Sequence, residues 1–478
     1  MFIIYKSIVL FNSFIFLLLF PLAFAAYWAI PIQYNQWRKL FLIIVSYLLY
    51  MNWKPAYAIV LLGVTLVTYA GGLLLDNHQK SSRKTKRLVW LFALLGLLPL
   101  LVFKYYVFIN NTLTDCLSFL GLRFKLPGLN WAVPVGISFF TFQAVGYMLD
   151  VFHGRIKAEK SITDYVLFVS FFPQIASGPI SKADELLPQI KKAHTFNYDQ
   201  AVCGLKYLLW GMFLKVVLAD RVGIYVDSVF GSYEKFSGAG CVLASVLYSI
   251  QIYADFAGYS LMAVGIAKTL GFELINNFKR PYFAASVTEF WKRWHISLTR
   301  WLTQQVYIPL GGNRCGKFRT YRNILITFLV SGIWHGANWT FIAWGGVHGV
   351  LQIIEKASGW NKRESKGLGK ALRIVFTFTI ITLAWVVFRS PSIGDAVGLI
   401  GRYFTPNGKF IADIQTLFYI ILAIIPLLIF EFGREFFPKL SRRIHDYTVL
   451  RWAVYLAVFA MIVLIGVHDG SSFIYVSF

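Results

Sequence analysis

The stretch NILITFLVSGIWHGANWTFIAWGGVHGVLQII, residues 323–354, contains no aspartate, glutamate, lysine or arginine. It is long enough to cross a bilayer, which takes about 20 apolar residues in an α-helix. His335 lies near its middle, between Trp334 and Gly336. Ionisable and strongly polar groups in membrane segments are rare and by default mark a functional site, and imidazole exchanges protons near neutral pH. The stretch therefore predicts membrane helix with proton chemistry at His335.

The composition of the whole chain indicates the same class of protein. Of 478 residues, 57% are hydrophobic and only 14% are charged, and the mean hydropathy is +0.61. Soluble proteins carry about 25% charged residues, so we expect an all-α polytopic membrane protein. The net charge of +24 lies in short loops, where the positive-inside rule and anionic lipid explain it; we expect no nucleic-acid partner. The four cysteines form no C-x-x-C pair, so we expect no metal site.

The apolar segments predict about eleven transmembrane helices plus re-entrant or interfacial pieces. The long segments are 8–30, 40–53, 56–75, 88–109, 131–151, 201–218, 242–270, 323–350, 371–388, 415–432 and 451–468, and the shorter ones are 164–180 and 284–308. The first segment resembles a cleavable signal peptide in Lys6, Phe14–Phe20 and Ala23–Ala25. Because its apolar stretch continues through Tyr27–Ile30, we favour a retained first helix over that alternative. No internal repeat or soluble domain is visible, so residues 1–478 are predicted to form one membrane domain.

Basic loops predict the orientation. Lys80, Arg83, Lys84, Lys86 and Arg87 make the loop 76–87 cytoplasmic. Counting back puts Arg38 and Lys39 inside and the N-terminus outside the cytoplasm. Counting forward puts 110–130 outside and Arg155, Lys157 and Lys160 inside.

Residues 290–302, FWKRWHISLTRWL, show helical periodicity. Apolar residues recur at three- and four-residue steps, and the basic residues fall on the other side. His295 projects on the apolar side, near Trp291. Two interpretations stay open: a basic interfacial helix whose histidine is only hydrogen-bonded, or a functional histidine.

The segment that follows, YIPLGGNR at residues 307–314, predicts a loop after the helix. Main-chain N–H groups of such a loop, with Arg314 beside them, can hold a phosphate, although a plain connector is the simpler alternative. Arg293, Arg300 and Arg314 are weak candidates for binding an anionic cofactor or donor.

Several polar groups surround His335 in its apolar helix. Gly332 and Gly336 would loosen the helix or admit a substrate close to the backbone, while Asn338 adds a polar side chain. The alternative is a structural histidine bonded to a neighbouring helix. On a straight helix His348 would lie about 20 Å away and about 220° around the axis, so we interpret His348 as structural.

Two other segments place polar groups in apolar surroundings. Gln251, Asp255 and Tyr259 are spaced to share one helical face. Asp255 is a plausible partner for a histidine or an arginine, and a structural ion pair between helices is the equal alternative. Residues 172–179, FPQIASGP, predict a broken, re-entrant element.

Taken in order, these segments resemble the membrane-bound O-acyltransferase (MBOAT) superfamily, most closely its AlgI-like branch, named for the membrane subunit of alginate O-acetylation. The resembling pieces are Phe11–Phe14, Pro134–Gln143, Phe171–Pro179, Gln251–Ser260, Asn277–Tyr282, Phe290–Arg314, Gly332–Gly349, Leu383–Arg389 and Phe473–Tyr475. The resemblance implies helices around a membrane-crossing tunnel. It also implies His335 as catalytic histidine and His295 as helper, with Trp334, Asn338, Gln251 and Asp255 supporting the tunnel. Thr303 and Gln304 depart from the Arg-Asp pair usual in relatives, which puts any contact made by that pair in doubt.

The implied function is a membrane O-acyltransferase of a bacterial-type cytoplasmic membrane. It would move an acetyl group from a cytosolic thioester, acetyl-CoA, for O-acetylation of an extracytoplasmic polysaccharide, directly or through a partner acetyltransferase protein. Two alternatives remain: D-alanyl transfer to teichoic acid, the chemistry of another MBOAT branch, and a polysaccharide or lipid transporter without chemistry. A transporter would show repeats and several intramembrane charges along a path, and the sequence shows neither.

Overall fold

The computed structural model describes residues 11–76, 82–122, 127–129, 131–411 and 414–468. Over those ranges the chain is helical, and its β-pairing is one isolated bridge between Phe236 and Lys409. The all-α class predicted from composition is confirmed. The predictions for residues 8–10, for Lys80 and for Phe473–Tyr475 fall outside the described residues, as do parts of the predicted outer loop 110–130.

Within the described ranges, seven helices are long and apolar enough to cross a membrane. They are Tyr57–Asp76, Arg83–Phe119, Tyr198–Phe230, Gly238–Thr269, Gly367–Arg389, Ile414–Phe436 and Thr448–Ile465. An eighth span results if Phe14–Ala29 and Ile32–Met51, which meet at a bend of 104°, are counted together. The protein is thus polytopic, as predicted, but the number eleven is not confirmed, because other apolar segments are shorter or less apolar than a span requires.

The helices form two compact groups. Residues 1–205 with 263–275 make up the first group, and residues 206–262 with 276–478 make up the second. The first group contains α1 (Phe14–Ala29), α2 (Asn35–Met51), α3 (Tyr57–Asp76), α4 (Arg83–Leu100), α5 (Tyr106–Phe119), α6 (Ile137–Phe152), α7 (Ile162–Ser170), α8 (Phe172–Ile175) and α9 (Ala183–Lys191). Of the three boundaries between the groups, those after residues 205 and 262 fall inside α10 (Tyr198–Met212) and α12 (Gly238–Thr269), and the third follows residue 275.

The second group continues with α11 (Asp220–Phe230), α13 (Val287–Arg293), α14 (Ile296–Leu302), α15 (Lys317–His335), α16 (Trp339–Ser358), α17 (Gly367–Arg389), α18 (Ile393–Arg402), α19 (Ile414–Phe436), α20 (Pro438–Asp446) and α21 (Thr448–Ile465). Short π-helical turns at Phe213–Ala219 and Thr303–Tyr307 extend α10 and α14. Such turns are rare and are often found at functional sites.

In the first group, the broken element predicted at 172–179 is present. Its helical part is only the four-residue α8, and this part is buried. Gly136 lies against it: a Cβ on Gly136 would stand 2.0 Å from the Ile175 carbonyl oxygen, and the residue has a φ of +72°. Only glycine allows both the left-handed backbone and this close approach.

Two basic residues that the orientation argument placed in a cytoplasmic loop are bound inside the first group. Arg38 is 5% exposed, and its guanidinium donates to the carbonyls of Ile30 and His194. The Lys39 ammonium is 2.6 Å from a carboxylate oxygen of Asp164. These two cations therefore make structural contacts within the first group as well as adding positive charge to the predicted loop.

The uncharged stretch 323–354 is not one helix, contrary to the prediction. The chain breaks at Gly336–Asn338, and α15 and α16 return antiparallel. Glycines allow the two backbones to touch: a Cβ on Gly332 would be 2.3 Å from the Phe341 carbonyl oxygen, and one on Gly345 would be 2.4 Å from that of Phe328. Small residues at helix contacts are the usual means of close packing in membranes.

The predicted helix 290–302 is also interrupted. α13 begins at a capping arrangement, in which Ser286 Oγ accepts from the Glu289 amide and Glu355 accepts from the amides of Val287 and Thr288. It ends at Arg293, and α14 begins at Ile296. Between them His295 has a φ of +42°. The predicted apolar periodicity holds within each short helix. The predicted continuous helix is wrong, because the backbone turns at His295.

Candidate active site

His335 is the last residue of α15, at the point where the chain leaves the helix. The next residue, Gly336, is extended, and Asn338 caps α16 by accepting a hydrogen bond from the Thr340 amide. Asn338 also donates to the carbonyl of Pro391, 2.9 Å away. His335 is only 1% exposed, so its imidazole is held inside the second group next to a break in the helix.

The second predicted histidine lies against the same tryptophan as the first. The ring of Trp334 is 4.9 Å from the ring of His335 and 5.7 Å from the ring of His295, measured between centroids. Trp334 is 2% exposed and His295 is fully buried. On its other side His295 contacts Phe256 of α12 at 4.6 Å. Two imidazoles about 40 residues apart in the sequence thus share one buried indole.

Aromatic rings surround His335 on its remaining sides. Trp344 of α16 contacts it edge-on at 5.0 Å, and Phe388 of α17 contacts it at 5.4 Å. Trp344 stacks on Trp385 at 5.6 Å with an angle of 21° between the rings. The wall of this site is therefore apolar and close-packed, a setting that excludes water from the imidazole.

The separation expected between His335 and His348 is wrong, because the chain reverses between them. Both histidines contact Trp344, His335 at 5.0 Å and His348 at 4.8 Å. His348 Nδ1 accepts a hydrogen bond from Trp291 Nε1 at 3.2 Å. Its structural role stays a prediction, and the bond to Trp291 agrees with it.

Gln251, Asp255 and Tyr259 share one face of α12, as their spacing predicted, and this face lies against the segment 213–223. Asp255 pairs with Lys215 at 2.6 Å, whereas the sequence suggested a histidine or an arginine as its partner. Lys215 also pairs with Asp220 at 2.8 Å and lies 5.4 Å from the ring centre of Tyr259. All four side chains are at most 7% exposed. An ion pair between helices is thus present, and the supporting role of Asp255 and Gln251 at the tunnel stays a prediction.

Gln251 lies on the same face, against Gly223 of α11. A Cβ on Gly223 would be 2.7 Å from the Gln251 amide nitrogen. Phe256, the residue after Asp255, contacts His295. Two neighbouring residues of α12 therefore connect the ion pair to the histidine site.

The three candidate arginines have different surroundings. Arg293 pairs with Glu289 at 2.6 Å and with Glu435 at 3.0 Å, so its charge is already balanced by two carboxylates. Arg300 and Arg314 are exposed. Of the three, Arg293 is the least suited to an anionic ligand.

The loop at 307–314 uses its amides internally. The amides of Gly311, Gly312 and Arg314 donate to the carbonyls of Ile308, Tyr307 and Gly311. Asn323 ties the same loop to α15 by donating to the carbonyls of Leu310 and Gly312. These three amides are therefore not available to a phosphate in this conformation, and the arrangement favours the plain connector.

No group of three or more histidine, cysteine, aspartate or glutamate side chains within the described ranges is arranged to hold a metal ion.

Sequence reasoning missed the residues that complete the site from other elements. Phe256, Trp344 and Phe388 contact the two imidazoles, and Asn277 is bonded to the backbone that carries His295. Aromatic residues are frequent in this chain, at 18%, so type alone could not single these out. All four lie in segments that carry the family resemblance, namely Gln251–Ser260, Asn277–Tyr282, Gly332–Gly349 and Leu383–Arg389, so the resemblance marked the segments but not the individual side chains.

Comparison with known proteins adds a family to this geometry. Residues 155–387 match the membrane-bound O-acyltransferase family, MBOAT. The match contains both histidines, Trp334 and the ion pair of Lys215 with Asp255.

Three named relatives extend the similarity over most of the chain. A probable alginate O-acetylase AlgI of Pseudomonas aeruginosa is 36% identical over 385 residues, 80% of this chain and 72% of the relative. A peptidoglycan O-acetyltransferase of Helicobacter pylori is 34% identical over 432 residues, 84% of this chain and 81% of the relative. A teichoic acid D-alanyltransferase of Streptococcus thermophilus is 30% identical over 352 residues, 65% of this chain and 78% of the relative.

Proposed function

Because the chain belongs to the membrane-bound O-acyltransferase family, on its AlgI-like branch, it is a membrane O-acyltransferase, and we propose that it transfers acetyl groups for O-acetylation of an extracytoplasmic polysaccharide. The donor is a cytosolic thioester, acetyl-CoA. The acceptor is the glycan itself or a partner acetyltransferase protein outside the cytoplasmic membrane. The names of the alginate and peptidoglycan relatives support a glycan acceptor.

We assign the chemistry to His335 as general base. The acceptor hydroxyl attacks the thioester carbonyl carbon while His335 takes the hydroxyl proton. A C–O bond forms, the C–S bond breaks when the tetrahedral intermediate collapses, and the proton on His335 passes to the leaving thiolate. The burial of His335 among Trp334, Trp344 and Phe388 supports this role, because a water-poor site protects the thioester from hydrolysis.

His295 is the second histidine of the mechanism, as a helper on the donor side. The observation that carries the proposal is the contact of both imidazoles with the indole of Trp334. Two histidines from different helices, both buried and within reach of one indole, form a compact site that neither position predicts alone.

The test is an acetyl-transfer assay in membrane vesicles supplied with radiolabelled acetyl-CoA and containing the cell's own polysaccharide and partner proteins. We expect His335→Gln to lower the transfer rate by about 10²- to 10⁴-fold, the usual contribution of general acid–base catalysis. His348→Gln is the matched control, because it is equally buried and touches the same Trp344; we expect it to stay within about tenfold of wild type. Normal transfer by folded His335→Gln protein would refute the proposal.

D-alanyl transfer to teichoic acid is the second candidate, favoured by the similarity to the Streptococcus thermophilus relative. That similarity covers less of this chain than the similarity to the acetylating relatives. The same vesicles supplied with a D-alanyl thioester of a carrier protein separate the two, because only one of the donors should be consumed. The alternative of a transporter without chemistry is wrong, because the chain belongs to an acyltransferase family.

A further inference from the structure

His295 occupies a backbone conformation that needs support from its surroundings. Its φ is +42°, and among the non-glycine residues that the structure describes only Arg280 shares a positive φ, at +47°. The left-handed conformation is unfavourable for an L-residue with a side chain, because Cβ comes too close to the following carbonyl oxygen. Such strained residues persist where the surrounding structure fixes them, often at functional sites.

The segment 277–280 supplies that support. The Ile296 amide donates to the Asn277 carbonyl at 2.9 Å, and the Ser297 amide donates to Asn277 Oδ1 at 3.2 Å. On the other side of the bend, the Lys279 amide donates to the carbonyl of Arg293 at 2.9 Å. Main-chain and side-chain bonds to one short segment thus close the turn on both sides of His295.

The hydrogen bond that Asn277 Oδ1 accepts from the Ser297 amide serves as a helix cap. His295 stands at the N-cap position of α14, where serine, threonine, aspartate or asparagine normally accepts a hydrogen bond from one of the first amides. The side chain of His295 makes no such bond. Asn277, which is 1% exposed, provides an equivalent oxygen from a different part of the chain.

We propose that Asn277 is a positioning residue for His295: it caps α14 in place of the N-cap side chain and so leaves the imidazole directed to Trp334. This inference rests on the proposed function, because it assumes that His295 takes part in the transfer. In this proposal Asn277 contacts no reacting atom of the transfer and acts only through its hydrogen bonds to the backbone of residues 296–297.

The amide nitrogen of Asn277 sharpens the test. It is buried, and no hydrogen-bond partner for it is found within the described chain. The oxygen is therefore the atom that the inference requires, and aspartate, which keeps an oxygen at this position, should replace asparagine better than leucine, which has a similar volume and no acceptor.

The experiment uses the full chain in the acetyl-CoA vesicle assay and compares Asn277→Leu with Asn277→Asp. We expect Asn277→Leu to lower kcat by at least about tenfold, since small displacements of a catalytic group can cost up to about 10²-fold. The KM for acetyl-CoA should change by less than about threefold. Asn277→Asp should retain kcat within about threefold of wild type.

Asn323→Leu is the matched control. Asn323 is also an asparagine with 0% exposure that holds a loop, at 310–312, but it has no bond to the segment around His295. Where the melting temperatures of the two variants fall equally, Asn277→Leu should have the lower kcat. Equal kcat at equal melting temperature would overturn the inference, as would an Asn277→Asp variant as poor as Asn277→Leu.

A double-mutant cycle separates this inference from the proposed function. In a His295→Ala background, Asn277→Leu should lower the remaining transfer by less than about twofold, because coupled positions are not additive. Full additivity would overturn the inference alone. Normal transfer by His295→Ala would instead overturn the role of His295. If the transfer rate of His295→Ala is too low for a further decrease to be measured, the comparison of Asn277→Asp with Asn277→Leu tests the inference instead.

Discussion

At the scale of single residues, His295 combines two unfavourable features. Its side chain is completely buried and its backbone is left-handed. A structural residue would avoid the second feature at once if it were glycine. An imidazole at this strained position is what the proposed role of His295 in acyl transfer would require.

This predicts a difference between two substitutions at 295. His295→Ala and His295→Gly both remove the imidazole, and we expect both to lose acetyl transfer. The glycine variant should nevertheless be more stable by about 1 kcal/mol, because it relieves the left-handed strain that alanine retains. Melting temperatures of the two purified variants in one detergent measure this. An alanine variant as stable as the glycine variant would argue against backbone strain at His295.

The two histidines were accessible to sequence reasoning to different degrees. His335 could be singled out because it is ionisable and lies in a stretch without charged residues. For His295, the apolar periodicity correctly predicted that the side chain is buried on the apolar face. It could not give the bend, because the spacing of apolar residues is the same for one helix and for two short helices joined at a single turned residue.

At the scale of helices, the hairpin of α15 and α16 creates the surroundings of His335. Trp344 follows His335 in the same uncharged stretch, yet it packs against His335 on one side and His348 on another, because the chain reverses at Gly336–Asn338. The sequence contained the cues, Gly336 and the N-capping Asn338, but in an apolar stretch they also fit a loosened continuous helix. The choice between the two depends on the contact of the helices, which the glycines permit.

The hairpin predicts opposite results for two adjacent glycines. A Cβ on Gly345 would stand 2.4 Å from the Phe328 carbonyl oxygen, whereas one on Gly346 meets nothing nearer than Leu329 Cδ2 at 3.9 Å. Gly345→Ala should push the helices apart, costing about 1–3 kcal/mol, and lower both melting temperature and transfer rate.

Gly346→Ala should leave the transfer rate unchanged and raise stability by up to about 1 kcal/mol, the difference in helix propensity. The same melting and transfer measurements on both variants check the pair. If alanine at 345 is tolerated as well as alanine at 346, the close contact of α15 and α16 is not required for the site.

At the scale of the whole molecule, charge and hydropathy fix the class of protein, but the orientation stays a prediction. It depends on the basic loops, and two of the cations it used, Arg38 and Lys39, also have structural partners. The 104° bend between Phe14–Ala29 and Ile32–Met51 adds a second reason for a direct test, since one span or two in this region reverses the predicted side of the N-terminus.

Cys116 provides that test for the part of the chain after the first cytoplasmic loop. It is exposed and lies in the predicted outer segment 110–130. In a variant with Cys116 as the only cysteine, a membrane-impermeant maleimide should label intact spheroplasts. Moving the single cysteine to Arg155, on the predicted inner side, should give labelling only after permeabilisation. The reverse pattern would invert the orientation.

The sequence by itself determined that this protein is an all-α membrane protein and that His335 is its leading candidate for a functional residue. Both follow from composition and from the cost of polar groups in a bilayer. The motifs in their order also indicated the acyltransferase family. The tertiary structure decided which side chains meet: His295 with Trp334, His348 with Trp344, Asp255 with Lys215, and Asn277 with the backbone after His295. The physical reason is that these contacts join segments distant in sequence or reversed by a turn, where local periodicity carries no information about the partner.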